Sequence, residues 1–550
     1  MLYDYIIVGA GTAGCILANR LSSDPANKVL LIEAGPEDKE LSLKIPAAML
    51  TNLKNTKHNW SFQGEPEPEL NNRQIQHDRG KTLGGSSSIN GMVYIRGHAM
   101  DFQHWRESGC EGWGYADVLP YFKRAETYGD GDTFHGDSGP MKIFRPEPEN
   151  PIYKAFIKAG KEAGYPVTDD INGYCQEGFG VLDRSVHEGQ RWSTARAYLD
   201  PARNRPNLSI MTEAQVENIS FENNKATGVV TKDHQGKLQS VQANKEVILS
   251  AGAVGTPKLL MLSGIGPKDH LQAMNIAIRA DLPGVGQNLN DHPDFVLKYK
   301  CLQPVSLWPK TKRLPSLAAG LQWLLTRKGM CASNHFEVVA CIRSAAGVEY
   351  PDIQLTISPI AVDDETWSPL PEHAFQIHVG LMRAYSRGHV QLRDADPSSG
   401  PRILVNYLQD KRDRDMMHAG IRHVRELVEQ PAFAPLRGAE IYPGSKVQNE
   451  DEMNIDLNNS TTTQWHLSGT AKMGPKTDPQ AVVDSHGRVY GIDSLRVIDA
   501  SIMPRVTNGN TNSPTVMIAE KLSDSVLGVA PLAPIEVEIW KNPQFASSQK

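Results

Sequence analysis

His466 stands in the segment TQWHLSGTAKMG, Thr463–Gly474, between a tryptophan and a Ser-Gly-Thr turn. An imidazole with an unperturbed pKa near 6.5 can take up or return a proton at neutral pH. A short glycine-punctuated loop suits a positioned side chain better than a packed one. At the other end of the chain, Gly9-Ala10-Gly11-Thr12-Ala13-Gly14 follows the apolar run YIIV and opens the helix-like stretch CILANRLS. A second apolar run, KVLLIEAG, carries Glu33 about 20 residues after the last glycine. Strand, glycine turn, helix, strand and acid in this order bind a dinucleotide. The glycines permit a tight turn and a close approach to a pyrophosphate, and the helix N-terminus offers unpaired N–H groups. Glu33 can accept hydrogen bonds from ribose hydroxyls. The pattern alone does not separate NAD from FAD.

Two further stretches must be positioned with these. RGKTLGGSSSINGMVYIRG, Arg79–Gly97, offers backbone and hydroxyl donors around Gly84, Gly85 and three serines, and runs straight into an apolar segment that anchors it. Such a loop suits a second contact with phosphate or a ring system. GAVGTPKLLMLSGIG, Gly252–Gly266, follows the strand-like EVILSAG. Its proline near the start and glycines at the end frame a helix.

These two stretches resemble the signature motifs of the glucose–methanol–choline (GMC) oxidoreductases, which bind FAD. The resemblance extends from about Asp4 to Leu527 through NGYCQEGFG, GQRWSTARAYL, LPGVGQNLNDH and VIDASIMP. Within the family it is closest to the bacterial choline dehydrogenases and flavin-dependent alcohol dehydrogenases. It implies an α/β fold: a discontinuous Rossmann-like FAD-binding domain plus an α+β substrate-binding domain on an antiparallel sheet. The expected FAD-binding segments are 1–150, 191–296 and 459–535. The expected substrate-binding segments are 151–190 and 297–458, with 536–550 as a tail. EHAFQIHVGLM and GHVQLRD alternate as strands do, Lys411 to Glu429 reads as a helix, and CLQPVSLWPKTKRLPSL reads as a loop.

The activity implied is oxidation of a primary alcohol to its aldehyde. A hydride goes to the flavin, and the hydroxyl proton goes to a base. His466 in H-x-x-G-T-x-x-M-G matches the family's catalytic histidine, and Asn510 in GNTNSPT matches its partner, which is His or Asn. An amide can bond the alcohol oxygen but cannot take its proton. Cofactor contacts implied by the resemblance are Gly9, Gly11, Thr12, Ala13, Gly14, Glu33, Gly84, Ser86, Asn90, Gly91, Val93, Val216, Gly252, Asp499, Ala500, Asn510, Thr511 and Asn512. Ile89 occupies the position at which some members attach FAD to a histidine, so noncovalent FAD is expected. His335, His373, His378 and His389 are additional histidines that could approach the site, with a packing role the simpler reading for each.

For the substrate, Glu337 in ASNHFEVVACIRS matches a carboxylate proposed to face a trimethylammonium group, with a structural salt bridge as the alternative. Choline dehydrogenases read Q-Y-H-F where this chain has Gln354-Leu355-Thr356-Ile357, so an aromatic wall is expected to be missing and choline recognition weakened. Thr356 and Trp465 are expected beside the substrate. Choline itself, neutral alcohols and 3-hydroxypropionate are the alternatives; a hydroxy acid would need a cation such as Arg383 or Lys472. A hydroxynitrile lyase-like reaction is the alternative from a different class.

Composition sets the remaining bounds. The chain has 550 residues, 57 basic and 63 acidic, for a net charge of −6, which argues against nucleic acid as a partner. Its six cysteines form no C-x-x-C pair, and no metal site is expected. No signal-like segment precedes the first strand, so a cytoplasmic location is expected. A quinone, another carrier or oxygen would accept the electrons, and peripheral membrane contact would follow from a quinone. The short apolar run LAAGLQWLL reads as a core helix, with a membrane-surface helix as the alternative.

Overall fold

The computed structural model describes residues 2–550. Leu2–Val8 lies parallel between Val29–Ile32 and Leu238–Leu249, and Leu208–Met211 extends the parallel set past Val29–Ile32. Val29–Ile32 is buried at every position, which is why it reads as an unbroken apolar run. Lys225–Asp233 and Ala214–Glu222 continue the sheet antiparallel. Leu495–Val497 then returns from the far end of the chain to pair, in parallel, with Val247–Leu249. Helix Thr12–Leu21 packs on helix Asn512–Leu527, and Thr12 Oγ1 donates to Asn512 Oδ1 at 2.7 Å.

The second sheet runs in the order Arg437–Tyr442, Pro293–Cys301, Ala374–Leu381, Ile353–Ser358, Val338–Ile342, Gly178–Val181, all antiparallel. Thr462–Thr463 pairs with Pro293–Asp294 and so ties the His466 loop to this sheet. Strand periodicity divides the side chains of its middle strands. Leu355, Ile357, Ile377 and Val379 enter the hydrophobic core beneath helix Lys411–Val428. Gln354, Thr356, Ser358, Gln376 and His378 line a cavity on the opposite face. Residues from the tail pack on this half: Asn542 Nδ2 donates to Glu177 Oε1 at 2.9 Å, and Arg343 Nη1 donates to the Ser548 carbonyl at 2.7 Å.

Two local expectations change. The stretch expected as a loop contains the end of strand Pro293–Cys301, a short 3-10 turn at Trp308–Thr311 and the start of helix Arg313–Thr326. That helix is not in the core: Trp323 is its one buried residue. Its leucines cluster on the side away from Trp323, so the apolar run marks an exposed stripe.

Candidate active site

A cavity of about 940 Å³ runs between the two sheets. Its volume is near the upper end of the range for small-molecule sites, roughly 300–1,000 Å³. Three helices start on its wall, at Thr12, Gly252 and Asn512; Asp499 takes the Gly252 N–H, and the helices at Thr12 and Asn512 have no side-chain cap. First-turn N–H groups without caps are available to an anion or a polar ring. Gly9 has φ +97°, and a Cβ there would lie 2.5 Å from the Ser250 carbonyl oxygen. At Gly14 a Cβ would lie 1.9 Å from the Gly9 carbonyl oxygen, so this glycine lets helix and strand touch. At Gly252 a Cβ would meet nothing within 4 Å, and at Gly11 only the Ser250 oxygen at 4.0 Å, so both face open space.

Glu33 closes this end of the cavity. Its carboxylate accepts from the N–H groups of Ala10 and Gly35, each at 2.9 Å, and burial pushes its pKa up to about 7. Each oxygen keeps a lone pair for a hydroxyl donor. The arrangement of acid, bare glycine backbone and open helix ends fits the ribose and pyrophosphate of FAD. Asp499 joins the walls: it accepts from Gly252 N at 2.9 Å, Thr256 Oγ1 at 2.6 Å and Ser501 N at 2.7 Å.

At the other end, His466 is held on three sides. Its N–H donates to Asp291 Oδ1 at 2.7 Å, its Nδ1 lies 2.9 Å from His292 Nδ1, and the Asn510 amide nitrogen lies 3.0 Å from its Nε2. With Asn510 donating, the neutral ring carries its proton on Nδ1, which donates to His292 Nδ1, and the single Nε2 lone pair accepts from the Asn510 amide on the cavity side. Burial, with His292 and Arg79 beside it, holds the His466 pKa well below 6.5. Burial likewise lowers His292, to about 3, so the pair is neutral at pH 7.

The backbone around this end is strained. Met92, His335, Trp367 and Trp465 have φ between +53° and +62° and all line the cavity. Bulky residues rarely adopt the left-handed region, at a cost of about 1–3 kcal/mol each, and such residues concentrate at functional sites.

Most residues expected from the sequence line this one cavity: Gly9, Gly11, Thr12, Ala13, Glu33, Ser86, Asn90, Gly91, Val93, Val216, Gly252, Asp499, Ala500, Asn510, Thr511, Asn512, Thr356, Trp465 and His466. Gly14 and Gly84 stand behind its wall. Gly84 N donates to the Ala10 carbonyl at 2.8 Å and so joins the two glycine loops. Glu337 does not line the cavity. It faces Arg184 Nη1 at 3.4 Å and accepts from Ser333 Oγ at 2.7 Å, the salt-bridge arrangement. His335 and His378 line the cavity, whereas His373 bonds Ser306 Oγ at 2.8 Å and neither it nor His389 lines it. Arg383 stacks on Tyr350 and Lys472 pairs with Asp478, both outside the lining.

Sequence reasoning missed a carboxylate that faces the cavity near His466. Asp294 sits two residues after His292 on the strand that pairs with the His466 loop. It bonds His378 Nδ1 at 2.7 Å and accepts from Gln464 Nε2 at 3.0 Å. Of the aromatic wall, only Trp465 was expected. Trp465 and Trp367 meet edge to face at 5.5 Å, and Trp60 stacks on Phe62 at 5.5 Å, all four on the cavity. The one local signal was DHPD directly after the LPGVGQNLN motif.

The sequence profile of the GMC oxidoreductases matches residues 3–294, and a second profile of the same description matches 384–519. The chain belongs to the GMC oxidoreductases. As a member of this family it is an FAD-dependent enzyme acting on CH–OH donors. The oxygen-dependent choline dehydrogenases of Sinorhizobium medicae and Brucella ovis are each 46% identical to this GMC oxidoreductase, over 551 and 549 residues and 100% of both chains. Pyridoxine 4-oxidase from Mesorbium loti has the same fold, with TM-score 0.87 at 32% identity over 96% of this chain and 100% of that one. Formate oxidase from Aspergillus oryzae matches with TM-score 0.90 at 28% identity, over 96% and 98% of the two chains.

Proposed function

We propose that the protein oxidises a primary alcohol to its aldehyde with His466 as the base. The observation that carries this reading is the neutral His466 imidazole, with Nε2 turned to the cavity and paired with Asn510. FAD, when bound, supplies the hydride acceptor. When the alcohol binds, the Asn510 amide turns its N–H from His466 Nε2 to the substrate oxygen, which orients the substrate and frees the Nε2 lone pair. His466 Nε2 takes the hydroxyl proton as the hydride leaves the carbinol carbon, so carbon loses two electrons and one hydrogen, and oxygen loses the other. His292 keeps the ring from turning and fixes the tautomer. Buried Ile89 lines the cavity where some members carry the attaching histidine, which supports noncovalent FAD. The electrons then pass to a quinone, another carrier or oxygen, and contact with a membrane surface accompanies the first of these.

A second reading has support of its own: the alcohol carries an ammonium group. Asp294 and the aromatic rings of Trp465, Trp367, Trp60 and Phe62 are groups that hold an organic cation. Of the positions that depart from Q-Y-H-F, only Thr356 reaches the cavity; Leu355 and Ile357 are core residues, so their change costs no aromatic contact. Asp294→Asn is expected to raise KM for choline about tenfold and leave a neutral alcohol within twofold. Glu337→Gln is expected to change both equally, because its carboxylate answers Arg184. Steady-state KM for the two substrates checks both expectations.

The pH dependence follows from the lowered histidine. A base works unprotonated, and His466 protonates only below 6.5. Flavin reduction by a neutral alcohol is therefore expected to stay flat from pH 8 to 6.5 and to fall only below that. Stopped-flow rates from pH 5 to 9 measure this; a midpoint at or above 7 contradicts it.

The deciding experiment is anaerobic mixing of the flavoprotein with choline, a neutral alcohol series and 3-hydroxypropionate while flavin absorbance is followed. Bleaching by a primary alcohol supports the reading, and bleaching by choline alone selects the cationic form of it. No bleaching by any alcohol overturns it.

A further inference from the structure

Helix Arg313–Thr326 buries one side chain against the body of the protein. Trp323 is buried, and its indole N–H donates to the Gly189 carbonyl at 2.7 Å. At the helical repeat, Leu314, Leu317, Leu321, Leu324 and Leu325 fall within an arc of about 100° on the side turned away from Trp323. They are 78, 63, 57, 47 and 77% exposed. Single exposed leucines are ordinary, but five in one stripe mark a contact surface.

The ends of the stripe are basic. Lys310, Lys312 and Arg313 precede it, and Arg327 and Lys328 close it; among the described residues none of the five forms an ion pair. No Asp or Glu occurs between Asp294 and Glu337, in a chain of net charge −6. The helix cannot span a bilayer. Fourteen residues rise about 21 Å against a hydrocarbon core of about 30 Å, and no helix of the described residues is long and apolar enough to cross a membrane. An outward leucine stripe with basic ends suits a helix lying in the lipid interface.

We propose that this helix docks the enzyme on an anionic lipid surface, with its leucines at the acyl boundary and its basic ends on the headgroups. A second copy seated on the same stripe would bring basic ends against basic ends across a two-fold axis, which disfavours that occupant. Beyond Arg327 the chain turns through Met330–Ala332, packed on Pro46–Ala48, to Asn334, His335 and Phe336 on the cavity wall. Docking therefore brings the substrate end of the cavity close to lipid. The proposal extends the reading of a lipid-soluble acceptor, but its test uses neither alcohol nor acceptor, so each can fail alone.

The test is flotation of the holoenzyme with phosphatidylcholine vesicles with and without phosphatidylglycerol. The wild type is expected to float with the anionic vesicles and to be released by salt. Joint Leu314→Gln, Leu321→Gln and Leu325→Gln substitution is expected to lower the partition coefficient at least about 100-fold while flavin reduction in solution is unchanged. Joint Lys312→Gln, Arg313→Gln and Lys328→Gln substitution is expected to weaken binding and flatten its salt dependence. Failure of the wild type to float with anionic vesicles, or undiminished floating of the leucine variant, overturns the proposal. So does a wild type that stays off vesicles and is a dimer by light scattering, split by the leucine substitutions: the stripe is then a self-association face.

Discussion

Replacing His466 by alanine is expected to leave FAD bound and to slow its reduction by alcohol at least about 100-fold, the usual cost of losing a general base. The cofactor contacts expected from the sequence do not include the imidazole, so flavin content should match the wild type. Neither side chain bonded to the ring can take over the proton. Asn510 has an amide, which does not accept a proton at neutral pH. His292 stands behind His466, with ring centroids 5.0 Å apart, and its own proton affinity is lower still than a free imidazole's. His466→Gln separates positioning from proton transfer: it keeps a polar group beside the substrate oxygen and should be as slow as the alanine variant. Stopped-flow reduction within tenfold of wild type for either variant would remove His466 from the role.

The second large effect is expected at Gly14→Ala, and the competing contributions have opposite signs. Alanine in a helix is about 1 kcal/mol better than glycine, which by itself would stabilise helix Thr12–Leu21. The new methyl would sit 1.9 Å from the Gly9 carbonyl oxygen and 3.0 Å from its carbon. Both partners are backbone, so no side chain can swing aside. Forced overpacking costs about 1–3 kcal/mol and sometimes more. The steric cost wins, and it pushes apart the glycine turn and helix start that form the cofactor end of the cavity. The variant is expected to purify largely without flavin and to melt several degrees lower, at about 2–4 °C per kcal/mol for a large domain. Flavin absorbance per protein and a thermal melt check this. A fully flavinated variant with unchanged melting would show that helix and strand separate freely.

What could be read from the sequence follows the reach of each signal. The glycine turn, its helix and Glu33 lie within one short stretch, so their spacing alone carries the geometry. The pairing of His466 with Asn510 also came through, because each sits in its own recognisable motif. His292, Asp294 and Trp367 did not. They reach the site by strand pairing and loop packing between segments far apart in the chain, and nothing in their local sequence says which way they point. Glu337 shows the converse. Its residue type suits a cation, but the carboxylate turns to Arg184, more than 150 positions earlier. The loss of aromatics at Leu355 and Ile357 looked like a change of substrate until strand alternation put both in the core. The leucine helix was misread because an apolar run reports that a surface is apolar, and leaves open whether protein covers it.

The 2.7 Å bond between Thr12 and Asn512 spans 500 positions of sequence, and the sheet beneath it is completed only by Leu495–Val497. On a ribosome adding roughly 5–20 residues per second, about 25–100 s separate the emergence of these two residues. Throughout that interval the glycine turn lacks the helix that backs it, and strand Leu238–Leu249, once made, has Leu2–Val8 on one edge of its buried half and nothing on the other. The nascent chain thus carries an unfinished cofactor cradle and an open strand edge, a template for wrong pairing. Cofactor loading must then be late in biogenesis, and holdase chaperones should engage this chain for most of its synthesis. A supply of FAD is expected to raise yield by capturing the finished protein, since it cannot template the early one.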